Sequence, residues 1–245
     1  MRLNVVAAVF LAALFSCKTP YQPVSVQYSD YRITERLPAS DPVKSMLKPY
    51  SDSVNRSMND VIAVADMPLE KKQPEGTLGN VLADAILWKA KLLFGTADIA
   101  FVNYGGVRLP AIAAGPITRG KVFEIAPFDN QLVLLEVSGT VLQQFLNHIA
   151  GRGGWPCAGV QFVIEAKKAT SVLINGEPLH ETSVYRIALP DYVASGGDDC
   201  QMLKPIPQQN KGYLLRDAVM EYLAGFQQKG QPIHSTIQNR IRNAQ

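Results

Sequence analysis

Three glycine-bearing turns hold the residues with the clearest capacity for chemistry. The first, Asn103-Tyr104-Gly105-Gly106-Val107-Arg108, follows a short apolar run. Its glycines let the backbone approach a ligand, Asn103 can both donate and accept, and Arg108 offers a planar fork of donors to an oxygen-rich group. The second, Pro127-Phe128-Asp129-Asn130, sets an aromatic ring in a turn beside polar groups. The third runs Asp191-Tyr192-Val193-Ala194-Ser195-Gly196-Gly197-Asp198, with an aromatic six residues before an acid and two glycines between them. Two rings among such polar groups would suit a flat heterocycle, because stacking a base on an aromatic contributes about 1–3 kcal/mol. Each turn also has a plainer reading: Phe128 and Tyr192 as core plugs, Asp198 as a turn-former.

Groups for bond cleavage do not gather in the same way. His148, His180 and His234 are isolated, and no Asp-x-His stretch supplies the start of a two-metal phosphoesterase centre. Asn147-His148 lies on an amphipathic helical stretch and reads as an ordinary helix face. Ser195 sits in Ala-Ser-Gly-Gly, which is not the Gly-x-Ser-x-Gly nucleophile elbow. Cys157 and Cys200 have no second Cys or His at metal-ligand spacing. Pairing would need their Cα atoms within about 7 Å, and two unpaired thiols are expected. The formal charge of +3 comes from 24 basic and 21 acidic side chains scattered along the chain. That pattern carries no electrostatic footprint for nucleic acid.

The elements that must position the turns follow from periodicity. Apolar residues recur helically from Asp41 to Asn59, with Ser40 or Asp41 as cap and an irregularity at Pro49. Val61 to Leu69 alternates like a strand, and Pro74-Glu75-Gly76 breaks it. Thr77 opens a helix over Leu78–Phe94, with Leu78, Val81, Leu82, Ala85, Ile86, Lys89, Leu92 and Leu93 as its buried stripe and Gly95 as its stop. Ala97–Val102 is a strand leading into the first turn. A turn at Gly115-Pro116 precedes a short helix over Arg119–Ile125. Leu132–Val137 is a strand, and Ser138 caps a helix over Thr140–Ala150. Strands follow at Val160–Glu165, Ser171–Ile174 and Val184–Leu189, with a tight turn at Asn175-Gly176, and Leu214–Phe226 is the last helix. Helices and strands mix without a βαβ rhythm. The expected fold is therefore α+β, a single domain of mixed sheets flanked by helices.

The chain starts differently from the rest. Met1-Arg2 leads into an unbroken apolar run, Val5 to Phe15, which is too short to span a bilayer needing roughly 20 residues. The layout is that of a secretory signal. Leu14-Phe15-Ser16-Cys17 resembles a bacterial lipobox, so Cys17 is the expected lipidation site. The expected organisation is a signal peptide over 1–16, a lipidated tether over 17–30 and one domain over 31–245. The expected location follows: secreted across the inner membrane and lipid-anchored in the bacterial envelope (periplasm or outer membrane).

Taken in order, the motifs resemble the C-terminal, nucleoside-binding domain of 5′-nucleotidases and UDP-sugar hydrolases. They are Gly76-Thr77-Leu78-Gly79-Asn80 with Ala83-Asp84, Asn103-x-Gly-Gly-x-Arg108, Gly115-Pro116-Ile117-Thr118-Arg119-Gly120, Pro127-Phe128-x-Asn130, and Tyr192-x-Ala-Ser-Gly-Gly-Asp198. The resemblance implies that Phe128 and Tyr192 clamp a base; the family has phenylalanine more often at the second position. It implies that Asn103, Gly106 and Arg108 contact base and phosphate, that Asp198 holds the ribose hydroxyls, and that Asn130 makes a lesser base contact. Where the family has further arginines this chain reads Lys71-Lys72-Gln73-Pro74, implying a weaker or lysine-based grip on phosphate. Asn80 and Asp84 are read as structural.

In that family a separate metallophosphoesterase domain holds two metal ions and cleaves the phosphate. The stretch between Cys17 and the recognisable core shows no metal motif. The expectation is a nucleoside- or nucleotide-binding chain with no cofactor of its own, working beside a separate metallophosphoesterase that carries the divalent metals. Two alternatives stand beside it: the chain itself hydrolyses nucleotides, or it is a non-catalytic envelope binding protein.

Overall fold

The computed structural model describes residues 25–32, 34 and 40–244. The apolar start, Cys17 and most of the expected tether lie outside the described residues. The chain divides at Leu47 into units of 1–47 and 48–245. Residues 25–32 are exposed and carry no regular secondary structure. Helix α1 (Asp41–Met58) follows, with Pro49 inside it as the spacing predicts. Its apolar residues Val43, Met46, Leu47, Tyr50 and Val54 are all exposed, so the periodicity is right although the stripe enters no core.

Beyond α1 the chain forms β1 (Val61–Ala65), β2 (Leu69–Glu70), α2 (Thr77–Phe94), β3 (Ile99–Phe101), β4 (Ala111–Ile112) and β5 (Gly115–Thr118). Next come α3 (Arg119–Ile125), β6 (Gln131–Ser138), α4 (Gly139–Gly151), β7 (Cys157–Ala158), β8 (Val160–Glu165) and β9 (Lys168–Ile174). The remainder is β10 (Glu177–Pro178), β11 (Val184–Pro190), α5 (Asp191–Ala194), β12 (Gln208–Leu214), α6 (Leu215–Gln228) and β13 (Ile241–Asn243).

A central mixed sheet has the order β12-β6-β11-β3-β7, with β11 and β3 parallel and the other neighbours antiparallel. A second sheet has the order β10-β9-β8-β13. This is the mixed α+β architecture expected from the sequence. The run Leu132–Val137 is apolar at every position but Glu136 because its two faces enter different cores. Leu132 and Leu134 pack with Ala188, with Leu78, Leu82 and Ile86 of α2, and with Ala218 and Val219 of α6. Val133, Leu135 and Val137 pack with Leu142, Phe145 and Ile149 of α4 and with Phe162 of the second sheet. Ser138 caps α4 by accepting from the Val141 N–H, and Gly95 ends α2 at φ 79°, both as expected.

Several expectations need correcting. The strand read as Val61–Leu69 stops at Ala65, because β1 pairs only with β5 while Leu69 pairs with Ile112 of β4. Gly115-Pro116 is therefore the start of a strand as well as a turn. Leu92 stands 63% exposed, outside the buried stripe of α2. β9 begins at Lys168 rather than Ser171. β12 has no counterpart among the expected elements: it is an edge strand whose residues are almost all exposed, so the sequence Gln-Gln-Asn-Lys-Gly lacks any apolar alternation.

Candidate functional site

The order of the central sheet brings the three turns together. β11 and β3 are parallel, so the turn after Phe101 and the turn after Pro190 leave the same end of the sheet. β6 is antiparallel to β11 with Leu132 opposite Pro190, so the turn before Gln131 enters at that end too. Strands far apart in sequence thus deliver every expected binding residue to one place. Asn103, Gly106, Arg108, Phe128, Asn130, Tyr192 and Asp198, joined by Gly105, line a cleft of about 340 Å³.

Exposure decides between ring platform and core plug. Phe128 and Tyr192 are each 47% exposed, so neither fills a core. Arg108 is exposed, donates to the Gly105 carbonyl at 3.3 Å and places its guanidinium carbon 5.8 Å from the Phe128 ring centre. Asn103 is 5% exposed, donates from Nδ2 to the Asp198 carboxylate at 2.7 Å, and leaves its Oδ1 without a partner. Gly106 must be glycine for that side chain to fit, since a Cβ there would lie 2.6 Å from Asn103 Oδ1. Gly197 is required in the same sense: a Cβ would lie 2.5 Å from Cζ of Tyr192.

Four residues outside the cleft lining hold the site in shape. Arg216, at the start of α6, is buried and donates to the carbonyls of Ala126, Pro127 and Phe128 at 3.2–3.4 Å and to Asp129 at 2.7 Å. Its guanidinium stacks 4.1 Å from the Phe123 ring centre, so one side chain holds the Ala126–Asp129 part of the Phe128 turn. Asp191 links two turns, because its Oδ1 accepts from the Gln131 and Tyr192 N–H groups at 3.0 and 2.9 Å. His148, expected as an ordinary helix-face residue, donates from Nε2 to the Asp198 carbonyl at 2.8 Å. Lys71 donates to the Val107 carbonyl at 2.8 Å and lies 3.9 Å over the Tyr104 ring. Burial, with the Arg108 charge adding, lowers the Lys71 pKa. Lys72 instead pairs with Glu70, and neither lysine is among the cleft-lining residues. Of these four, Asp191 carried a sequence signal as the first residue of its turn and Lys71 as part of the Lys71-Lys72 stretch, while Arg216 and His148 carried none for the site.

The remaining candidates stay apart from this chemistry. Cys157 and Cys200 are free and buried, and burial pushes both thiols up to about 12. Asn80 and Asp84 hydrogen-bond within the fold, to Glu75 and to Arg240. Among the described residues no group of three or more His, Cys, Asp or Glu is placed to hold a metal ion. Near Asp198 the neighbours are donors, Asn103 Nδ2 and the Tyr192 hydroxyl, and Asp199 is paired with Arg152, so the described site does not fit a metal centre.

Comparison with known proteins finds relatives in sequence and in fold. Residues 55–205 match the family model described as 5′-nucleotidase, C-terminal domain. A 5′-nucleotidase of Vibrio parahaemolyticus is 31% identical over 188 residues, covering 72% of this chain and 32% of its own. One from Vibrio vulnificus is 30% identical, covering 76% of this chain and 34% of its own. Among solved structures, a 5′-nucleotidase precursor from Thermus thermophilus superposes with a TM-score of 0.72 at 27% identity, over 82% of this chain and 42% of that one. The chain spans about a third of the length of the curated relatives it matches. Five motifs in order, the converging turns and these matches have one explanation: the chain belongs to the 5′-nucleotidase C-terminal domain family.

Proposed function

We propose that the cleft binds a nucleoside or nucleotide, with the base between Phe128 and Tyr192 and polar contacts from Asn103, Gly106 and Asn130. Asp198 accepts from the ribose hydroxyls, and Arg108 meets phosphate at the cleft mouth. One observation carries the reading: two half-exposed rings line the same cleft as Asn103, Arg108 and Asp198. That combination suits a flat heterocycle attached to an oxygen-rich group. In extracytoplasmic nucleotide breakdown, phosphate cleavage belongs to a separate metallophosphoesterase holding the divalent metals. This chain positions the departing nucleoside for it. The relatives' printed names, 5′-nucleotidase in two Vibrio species, support a setting of nucleotide breakdown.

The experiment is calorimetric titration of the full chain with adenosine and AMP in the presence of Mn²⁺. Saturable heat without sustained turnover is expected. Continuous phosphate release would overturn the division of labour, and silence with both ligands would overturn the binding reading. Phe128→Ala is expected to weaken adenosine by about 1–3 kcal/mol through lost stacking; an unchanged affinity would remove Phe128 from the site.

The envelope location is part of the same proposal, resting on the apolar run and on Leu14-Phe15-Ser16-Cys17. An acyl anchor contributes about 0.8 kcal/mol per buried CH₂. Cys17→Ser is expected to leave the protein soluble after cell fractionation, and persistent membrane association would count against the anchor.

A further inference from the structure

Asp198 is held in an uncommon state. Its backbone lies in the left-handed region, at φ 52° and ψ 35°, which a residue with a side chain seldom adopts. Such a conformation persists where the surroundings over-determine it. Here the His148 ring holds the carbonyl at 2.8 Å, and the Tyr192 hydroxyl accepts from the backbone N–H at 3.3 Å. The same hydroxyl donates to carboxylate Oδ1 at 3.3 Å, while Asn103 Nδ2 donates to Oδ2 at 2.7 Å.

Each carboxylate oxygen therefore has one protein donor. An ionised carboxylate offers about four acceptor positions, so two remain, one on each oxygen. Two adjacent hydroxyls would fill them. The phenol ring reaches this position because Gly197 has no Cβ to meet its Cζ. A phenylalanine at 192 would keep the stacking surface and lose only the hydroxyl.

We propose that the Tyr192 hydroxyl is a positioning group. By fixing the rotation of the Asp198 carboxylate it presents both free acceptor positions to a vicinal diol, and so makes the site selective for ribonucleosides over 2′-deoxyribonucleosides. The proposal rests on the nucleoside reading above. It gives Tyr192 a role that stacking alone does not require.

The test compares wild type with Tyr192→Phe in the full chain, by calorimetric titration with adenosine, 2′-deoxyadenosine and adenine. Adenosine affinity is expected to fall about five- to tenfold, the size of one ordinary net hydrogen bond, since the Tyr192–Asp198 contact is long at 3.3 Å. Adenine affinity should hold within about twofold, which also reports that the ring and the fold are intact, and the preference for adenosine over 2′-deoxyadenosine should shrink. Equal losses for all three ligands, or no loss for adenosine, would overturn the positioning role. A wild-type chain that binds none of them would instead overturn the nucleoside reading itself.

Discussion

Arg216→Met is expected to weaken adenosine binding at least tenfold and to lower folding stability by about 2–3 kcal/mol, although Arg216 is not among the residues lining the cleft. Its side chain is 8% exposed and serves three consecutive carbonyls and Asp129, with Phe123 beneath the guanidinium. Asp129 is 78% exposed, so the ion pair itself contributes little. The stability loss comes from the carbonyls and from a partly desolvated cation–π contact of about 1–2 kcal/mol. The binding loss has a different origin. Without the guanidinium the Ala126–Asp129 part of the turn loses its side-chain hold, and the Phe128 ring must be ordered when ligand binds. Arg216→Lys is expected to recover little, because a point charge cannot reach several carbonyls and a carboxylate at once. Urea unfolding and adenosine titration separate the two effects. Wild-type affinity in Arg216→Met would show that the turn holds itself.

A still larger loss of stability is expected for Arg240→Met, about 3–5 kcal/mol, with no cleft residue altered. The Arg240 side chain is 9% exposed and donates to the Cys157 carbonyl at 2.7 Å, to Asp84 at 2.8 Å and to Gln238 at 2.9 Å. Its backbone N–H and that of Gln238 both donate to Glu75, at 2.9 and 2.8 Å. This cluster ties the strand β13 and the residues before it to α2 and β7. Methionine would leave Asp84, 34% exposed, without its countercharge and the buried Cys157 carbonyl without a donor. Asp84→Asn in the Arg240→Met background should restore part of the loss by removing the unpaired charge. Denaturant midpoints measure both variants. A loss below about 1 kcal/mol would show that water replaces the guanidinium.

Legibility of the sequence varied with the source of each element's stability. Helices α2, α3, α4 and α6 were readable to within a residue or two, because caps such as Ser138 and the stop at Gly95 act locally. The central strands were readable as apolar runs because both their faces are buried. The short and edge strands were not. β12 faces solvent, while β7 and β13 run for two and three residues, so their pairing depends on partners far away in sequence. Leu92 shows the same limit, since helical spacing gives an angle around the axis but not the extent of the packing neighbour.

The cleft divides along the same line. By itself the sequence determined which residues could meet a flat, oxygen-bearing ligand. Glycine, arginine, asparagine and aromatic types clustered in turns carry that information locally, and their order carried the family. Tertiary structure alone decided that Phe128 and Tyr192 are half-exposed, and that Asp198 is gripped by Tyr192, Asn103 and His148. It also decided that Arg216 holds the Phe128 turn from 88 residues away. The physical reason is that a side chain's type is fixed by its own codon, whereas its burial and hydrogen-bond partners are fixed by which strands pair. That pairing is a property of the whole sheet.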